Sequence, residues 1–209
     1  MSFKAWYEDK ILPHIIRCGC ANERIAALRE NVVPLARGRV FELGLGGGLN
    51  QQFYDNDKVT SFSGIDPSGK LLDVARGAAR ERGWNADIRQ GVGEAIPFDD
   101  ESFDTVVTTF TMCSVDDQTQ VLKEMRRILV PGGKLLFLEH GHAPDPGPAK
   151  WQDRIEPVWR NVFGNCHLTR EVAGAVRKHG FDVEFAEHKY MEKMPRIAGF
   201  MEWGEARKT

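Results

Sequence analysis

The run Val40-Phe41-Glu42-Leu43-Gly44-Leu45-Gly46-Gly47-Gly48-Leu49 constrains this chain more than any other stretch. An apolar strand ends there in an acid and breaks into glycines. Glycine admits backbone angles and a close approach that a Cβ forbids, and a strand feeding such a loop usually opens a nucleotide-type site in an α/β fold. The spacing narrows the choice. A dinucleotide fingerprint starting at Gly44 needs a further glycine at position 49, which is Leu49, and no Gly-Lys-Ser/Thr follows as a P-loop requires. A glycine-rich turn without a ligand is the plain alternative.

From Arg39 onward, apolar strands and helical stretches alternate. Strands are read near 39–43, 61–65 and 87–90, then at Thr105 to Thr109 and Lys134 to His140. Helices are read after Gly48, from Ser68 to Arg82 and from Asp117 to Leu129. This alternation predicts a parallel sheet with helices on both faces. Pro131-Gly132-Gly133 stops a helix and turns into the next strand. Gly141 to Pro148 reads as a proline-rich loop, followed by helices at Trp151 to Phe163 and about Arg170 to His179. Phe181 to His188 and Ala198 to Ala206 pair as a final hairpin. Ahead of the glycines, apolar residues recur at helical intervals: Trp6, Ile11, Ile15 and Ile16, then Ile25, Leu28 and Val32. These two helices either lie across the site's open side or simply pack on the core.

With 209 residues, the chain is expected to be a single domain. Residues 1–35 are N-terminal helices, 36–140 a cofactor-binding core, and 141–209 a substrate loop, a helix and the last strands. The formal net charge of -2 provides no basic face for nucleic acid. No stretch approaches the roughly eighteen apolar residues of a spanning helix, and Met1 to Trp6 does not open a secretory signal. A cytoplasmic protein is expected, with peripheral membrane contact and oligomeric state left open. Cys18, Cys20, Cys113 and Cys166 are too few for a disulfide framework. His14 and Cys18 share a helical face near Cys20, but no second Cys/His pair lies at zinc-site spacing, so no metal is expected. Cys113 and Cys166-His167 invite a nucleophile reading, against which stands that of small buried thiols.

About twenty residues past the loop, a strand ends in Asp66-Pro67-Ser68, where an acid can accept both hydroxyls of a ribose. There follow Gln90-Gly91-Val92-Gly93-Glu94-Ala95-Ile96-Pro97-Phe98, Ser102 to Val107 and Arg127 to Leu135 with its Pro-Gly-Gly. In this order the blocks resemble the class I S-adenosylmethionine-dependent methyltransferases over about residues 35 to 140. A closer resemblance rests on Cys113-Ser114-Val115, Leu138-Glu139-His140, Trp151-Gln152 and Gly164-Asn165-Cys166-His167-Leu168-Thr169-Arg170. It is to the animal methyltransferase-like enzymes that methylate small alkyl thiols, with ubiquinone/menaquinone-type and phospholipid-type methyltransferases as more distant neighbours. The animal enzymes carry an N-terminal membrane anchor that is not evident in this sequence.

The resemblance implies a three-layer α/β sandwich, with a seven-stranded, mostly parallel Rossmann-like sheet, an antiparallel last strand and N-terminal helices. It implies S-adenosylmethionine as cofactor. Gly44, Gly46 and Gly48 would pass against its methionine and ribose portions, Glu42 would orient the amino group, and the backbone near Thr109 would add hydrogen bonds. Asp66 would hold the ribose diol. Where the family often has Gly-Asp-Ala, this chain has Val92-Gly93-Glu94, so Glu94 or backbone amides near Gly93 would read the adenine. The acceptor is read as a small, fairly hydrophobic molecule, first of all a thiol, lined by Trp6, Tyr7, Trp151, Trp159 and His167. The candidate base is His140, with His167 and His142 behind it. A quinone or phospholipid-amine acceptor and a non-catalytic binding module are the rival readings.

Overall fold

β1 (Gly38–Leu43) is buried over its last four residues, as a strand covered on both faces must be. It pairs in parallel with β2 (Val59–Asp66) on one side and β4 (Phe103–Thr109) on the other. β3 (Asp87–Gln90) extends the sheet beyond β2, and β5 (Leu129–His140) extends it beyond β4. β7 (Phe200–Lys208) runs antiparallel between β5 and β6 (Phe181–Tyr190), giving a seven-stranded sheet of order β3-β2-β1-β4-β5-β7-β6. This is the expected Rossmann-like architecture with one antiparallel strand. The structure, a computed structural model, describes residues 23–209. The first expected N-terminal helix, and with it Trp6, Tyr7, His14, Cys18 and the nearby Cys20, falls outside the described residues; the second is α1 (Glu23–Glu30).

The strand period of two sorts the core into two layers. Val40, Leu136 and Leu138 face a cluster with Ile25 and Leu28 of α1 and Leu72, Ala75 and Ala79 of α2 (Gly69–Glu81). Phe41, Leu43, Leu135 and Phe137 face the other way. There they meet Val121, Leu122 and Met125 of α3 (Gln118–Ile128) and Val172 and Val176 of α5 (Val172–Lys178). Asp117 caps α3, its Oδ1 accepting the N–H of Gln120 at 3.0 Å. Among the described residues, no helix is long and apolar enough to cross a membrane.

Three expectations need correction. In place of a helix after Gly48 there is a single 3₁₀ turn, Gln51–Phe53, flanked by Asn50 and Tyr54, whose side chains turn inward to Glu42. Pro131-Gly132-Gly133 does not lie ahead of the next strand but forms an excursion within β5. Leu129 partners Phe103 and Lys134 partners Thr105, with Gly132 at φ +72°. Finally, Gly141 to Asp145 form the expected loop, but Pro146 to Pro148 already belong to a helix. α4 (Pro146–Val162) starts on Pro146, since a first-turn residue has no helical use for an N–H.

Gly204 lies where β7 is squeezed between its neighbours. A Cβ there would run into the carbonyl oxygen of Phe185 and sit 2.8 Å from Cζ of Phe137. Gly204→Ala should therefore lower stability by about 1–3 kcal/mol, read in urea as an earlier midpoint at unchanged slope.

Candidate active site

The carboxyl ends of β1, β2, β4 and β5 meet along one edge of the sheet, where parallel α/β folds carry their ligands. Beyond β1, Gly44, Gly46 and Gly48 take φ values of +72°, +52° and +79°. A Cβ on Gly44 would collide with the Thr111 side chain, and one on Gly48 would sit 3.0 Å from Nε2 of Gln51 and 3.3 Å from Cα of Ala75. A Cβ on Gly46 would meet nothing within 4 Å. Packing thus accounts for two of the glycines, while Gly46 turns its backbone toward open space.

Asp66 stands beside that opening. Its Oδ2 accepts the N–H of Gly46 at 2.9 Å and its Oδ1 the N–H of Ser68 at 2.8 Å. Burial pushes the Asp66 pKa up, and the two N–H groups pull it back. Oε1 of Glu94, expected to read the adenine, accepts the N–H groups of Asp116 and Asp117 at 3.0 and 3.2 Å, so it ties down the start of α3. Gly93 is tightly packed: a Cβ there would lie 3.0 Å from Cγ2 of Val121 and 3.2 Å from Cδ1 of Leu43.

Glu42 points into the protein behind the glycine loop. Its Oε2 accepts the hydroxyl of Tyr54 and its Oε1 the amide of Asn50, each at 2.8 Å. The same Asn50 amide donates to Oγ1 of Thr109 at 3.0 Å. The guanidinium of Arg29 completes the network, donating to Oδ1 of Asn50 and, at 2.7 Å, to Oγ1 of Thr109. Burial outweighs these donors and the nearby positive charge, raising the Glu42 pKa to about 7. Arg29, Asn50 and Tyr54 carry no motif in the sequence that would mark them for this network.

On the other flank, the carboxylate of Glu139 gathers the loop after β4. It accepts the N–H groups of Thr111, Met112 and Cys113 at 3.1, 3.0 and 3.2 Å and the hydroxyl of Thr108 at 3.1 Å. Arg170 holds the same loop by its carbonyls, donating to Met112 at 2.6 Å and Val115 at 2.7 Å. Phe110 enters the loop at φ +55°, a strained angle for a residue with a Cβ. Its ring lies edge-on to His140 at 5.3 Å.

Nδ1 of His140 faces two sulfurs, Cys166 Sγ at 3.7 Å and Cys113 Sγ at 4.0 Å. The Cys166 thiol, together with burial, pushes the Cys113 thiol well above its ordinary pKa. His167 donates its backbone N–H to Cys113 at 2.8 Å, and its Nδ1 lies 2.6 Å from Oε1 of Glu156. Burial lowers the His167 pKa, and Arg170 lowers it further. His142 faces Asp153 at 3.3 Å. Trp159 stacks on Phe163 with ring centroids 4.0 Å apart. Trp151, expected in a pocket wall, is 55% exposed on α4. The helix buries Gln152 instead, whose side chain holds the loop after β5 through the N–H of Ala143 and the carbonyl of Gly141.

Glu42 should leave a signature in stability. Its folded pKa of about 7 lies above the ordinary value of 4.5, so its burial costs nothing while it is protonated in both states and increasingly more as the pH rises between those values. Relative to Glu42→Gln, the unaltered protein should lose on the order of 3 kcal/mol across that window. Urea unfolding of both proteins across the range measures this, and parallel profiles would refute it.

Comparisons with known proteins agree with this geometry. The family described as "Methyltransferase domain" matches residues 41–137. Thiol S-methyltransferase TMT1B of Rattus norvegicus is 37% identical over 147 residues, 68% of this chain and 59% of that protein, so the chain spans less than two thirds of this relative's length. Thiol S-methyltransferase TMT1A of Homo sapiens is 31% identical over 171 residues, 79% of this chain and 69% of the relative. Among solved structures, a SAM-dependent methyltransferase from Thermotoga maritima, described as a possible histamine N-methyltransferase, superposes with a TM-score of 0.63 at 22% identity. It covers 99% of this chain and 96% of its own. From the glycine edge, the seven-stranded order and these likenesses together, the chain belongs to the S-adenosylmethionine-dependent methyltransferases.

Proposed function

We propose that this chain methylates a small, largely apolar acceptor at the expense of S-adenosylmethionine, and that the acceptor is a thiol. The observation that carries the reading is the open space over Gly46, with the Asp66 carboxylate fixed next to it. An ionised carboxylate has about four acceptor positions, so Asp66 can hold the loop and still take a ribose diol. Gly44, Gly46 and Gly48 cradle the methionine and ribose portions. Glu42 supports the amino end from behind the loop, through the network that also holds Asn50 and Thr109. With Oε1 of Glu94 engaged by Asp116 and Asp117, the backbone around Gly93 reads the adenine edge.

When bound, S-adenosylmethionine supplies an electrophilic methyl group on a sulfonium. The protein's main task is then alignment. Holding two reactants in near-attack geometry is worth about 7–11 kcal/mol, whereas a general base giving 10²–10⁴-fold contributes roughly 3–5 kcal/mol. His140, at the carboxyl end of β5, is the group proposed to take the acceptor's proton. The two relatives named as thiol S-methyltransferases support a thiol over other acceptors.

Calorimetric titration with S-adenosylmethionine, followed by a panel of small thiols, quinols and amine lipids with S-adenosylhomocysteine quantified, tests the proposal. Turnover confined to quinols or lipid amines would reject the thiol, and binding without any product would reject catalysis. Asp66→Asn should weaken cofactor binding by about 1–3 kcal/mol, and unchanged affinity would remove the ribose assignment. His140→Ala should cut turnover by about 10²–10⁴-fold with cofactor affinity intact; an unaffected rate would take it out of the chemistry.

A further inference from the structure

The two sulfurs beside His140 have no part in the reading so far. Cys113, His140 and Cys166 stand 27 and 26 residues apart, a spacing with no metal signature in the sequence, yet their ligand atoms lie within 4.8 Å of one another. We propose that Cys113, Cys166 and His140 bind a thiophilic divalent cation of the Zn²⁺ class, with a fourth position left to a non-protein ligand.

The distances favour this. Zinc–sulfur bonds of about 2.3 Å and zinc–nitrogen bonds of about 2.0–2.1 Å, spread tetrahedrally, place sulfurs about 3.8 Å apart and sulfur about 3.6 Å from nitrogen. The structure has Sγ to Sγ at 3.7 Å and Nδ1 to the two sulfurs at 3.7 and 4.0 Å. A disulfide would need the sulfurs at about 2.0 Å, and both cysteines are free thiols. Two thiolates, an imidazole and a borderline-soft divalent cation are matched in chemistry.

Each ligand is also held from outside the cluster. Glu139 and Arg170 clamp the loop that carries Cys113. His140 ends β5. Cys166 is docked by the bond from His167 N–H to the Cys113 carbonyl and by Asn165, whose amide donates to the Ser114 carbonyl at 3.0 Å. Two thiolates and a divalent cation sum to no net charge. That is the charge state a buried site between an acid and a guanidinium tolerates best. The fourth position accepts water or a thiolate. With the metal bound, His140 would be a ligand through Nδ1 and not a base, and the cation itself would lower the pKa of an acceptor thiol; that role rests on the proposed function, but the site itself does not.

The test is Co²⁺ titration of the full chain, kept reduced by a phosphine, in a Cys18→Ser/Cys20→Ser background that removes the other two cysteines. The expected result is one equivalent bound, with tetrahedral visible bands and a sulfur-to-cobalt charge-transfer band. That band should fall to about half in Cys113→Ser and in Cys166→Ser, which each keep one thiolate, and vanish when both are replaced. X-ray absorption of the Zn²⁺-loaded protein should show two sulfur ligands, a readout that needs no further variant. Absence of the band, its survival at full strength in either serine variant, or a zinc shell without sulfur would overturn the site. Titration of the same sample with S-adenosylmethionine reports separately on the proposed function, so either reading can fail alone. His140→Ala does not discriminate, because it lowers turnover whether the imidazole acts as base or ligand.

Discussion

Glu42 is the group on which the cofactor edge turns. It is the last residue but one of β1, and from that one buried carboxylate the network runs to Tyr54 and Asn50 beyond the glycines, to Thr109 at the end of β4 and to Arg29 on α1. Four separated pieces of chain are thereby tied to one point in the interior. The cost is desolvation of a carboxylate, only partly offset by two hydrogen bonds and a nearby guanidinium. Here an acid at a strand end fixes the shape of the loop in front of it.

Glu139 does on β5 what Glu42 does on β1. Three successive N–H groups converge on it, and the adjacent residue is His140. The two acids organise different halves of the edge. Glu42 sets the glycine loop against Asp66, while Glu139 sets Cys113 against His140 and Cys166. Arg170 closes the second half by taking the loop's carbonyls, leaving little of its backbone unpaired.

Most of the sheet was legible because buried strands and amphipathic helices differ in period. The regularity of Leu135 to Leu138, facing alternate layers, is such a case. Segments whose shape depends on distant partners were not legible. The stretch after Gly48 reads as a helix but forms only one 3₁₀ turn, with Asn50 and Tyr54 bonded to the distant Glu42. Pro146 reads as a loop former until it is placed at a helix start. At the site, glycines and Asp66 announce themselves because local geometry demands those residue types. Arg29 and Asn50 do not, being 80 and 59 residues from their shared partner Thr109. The Cys113, His140 and Cys166 grouping is likewise made by folding alone.

β7 follows β6 in the chain but lies inside it in the sheet, between β6 and β5. As the chain is synthesised, β6 emerges with no sheet partner, and the edge of β5 stays open until β7 slots in. The outer third of the sheet therefore cannot assemble progressively behind the ribosome. It waits for a late insertion, and during that interval the apolar length of β5 is an unpaired edge of the kind that invites association between chains.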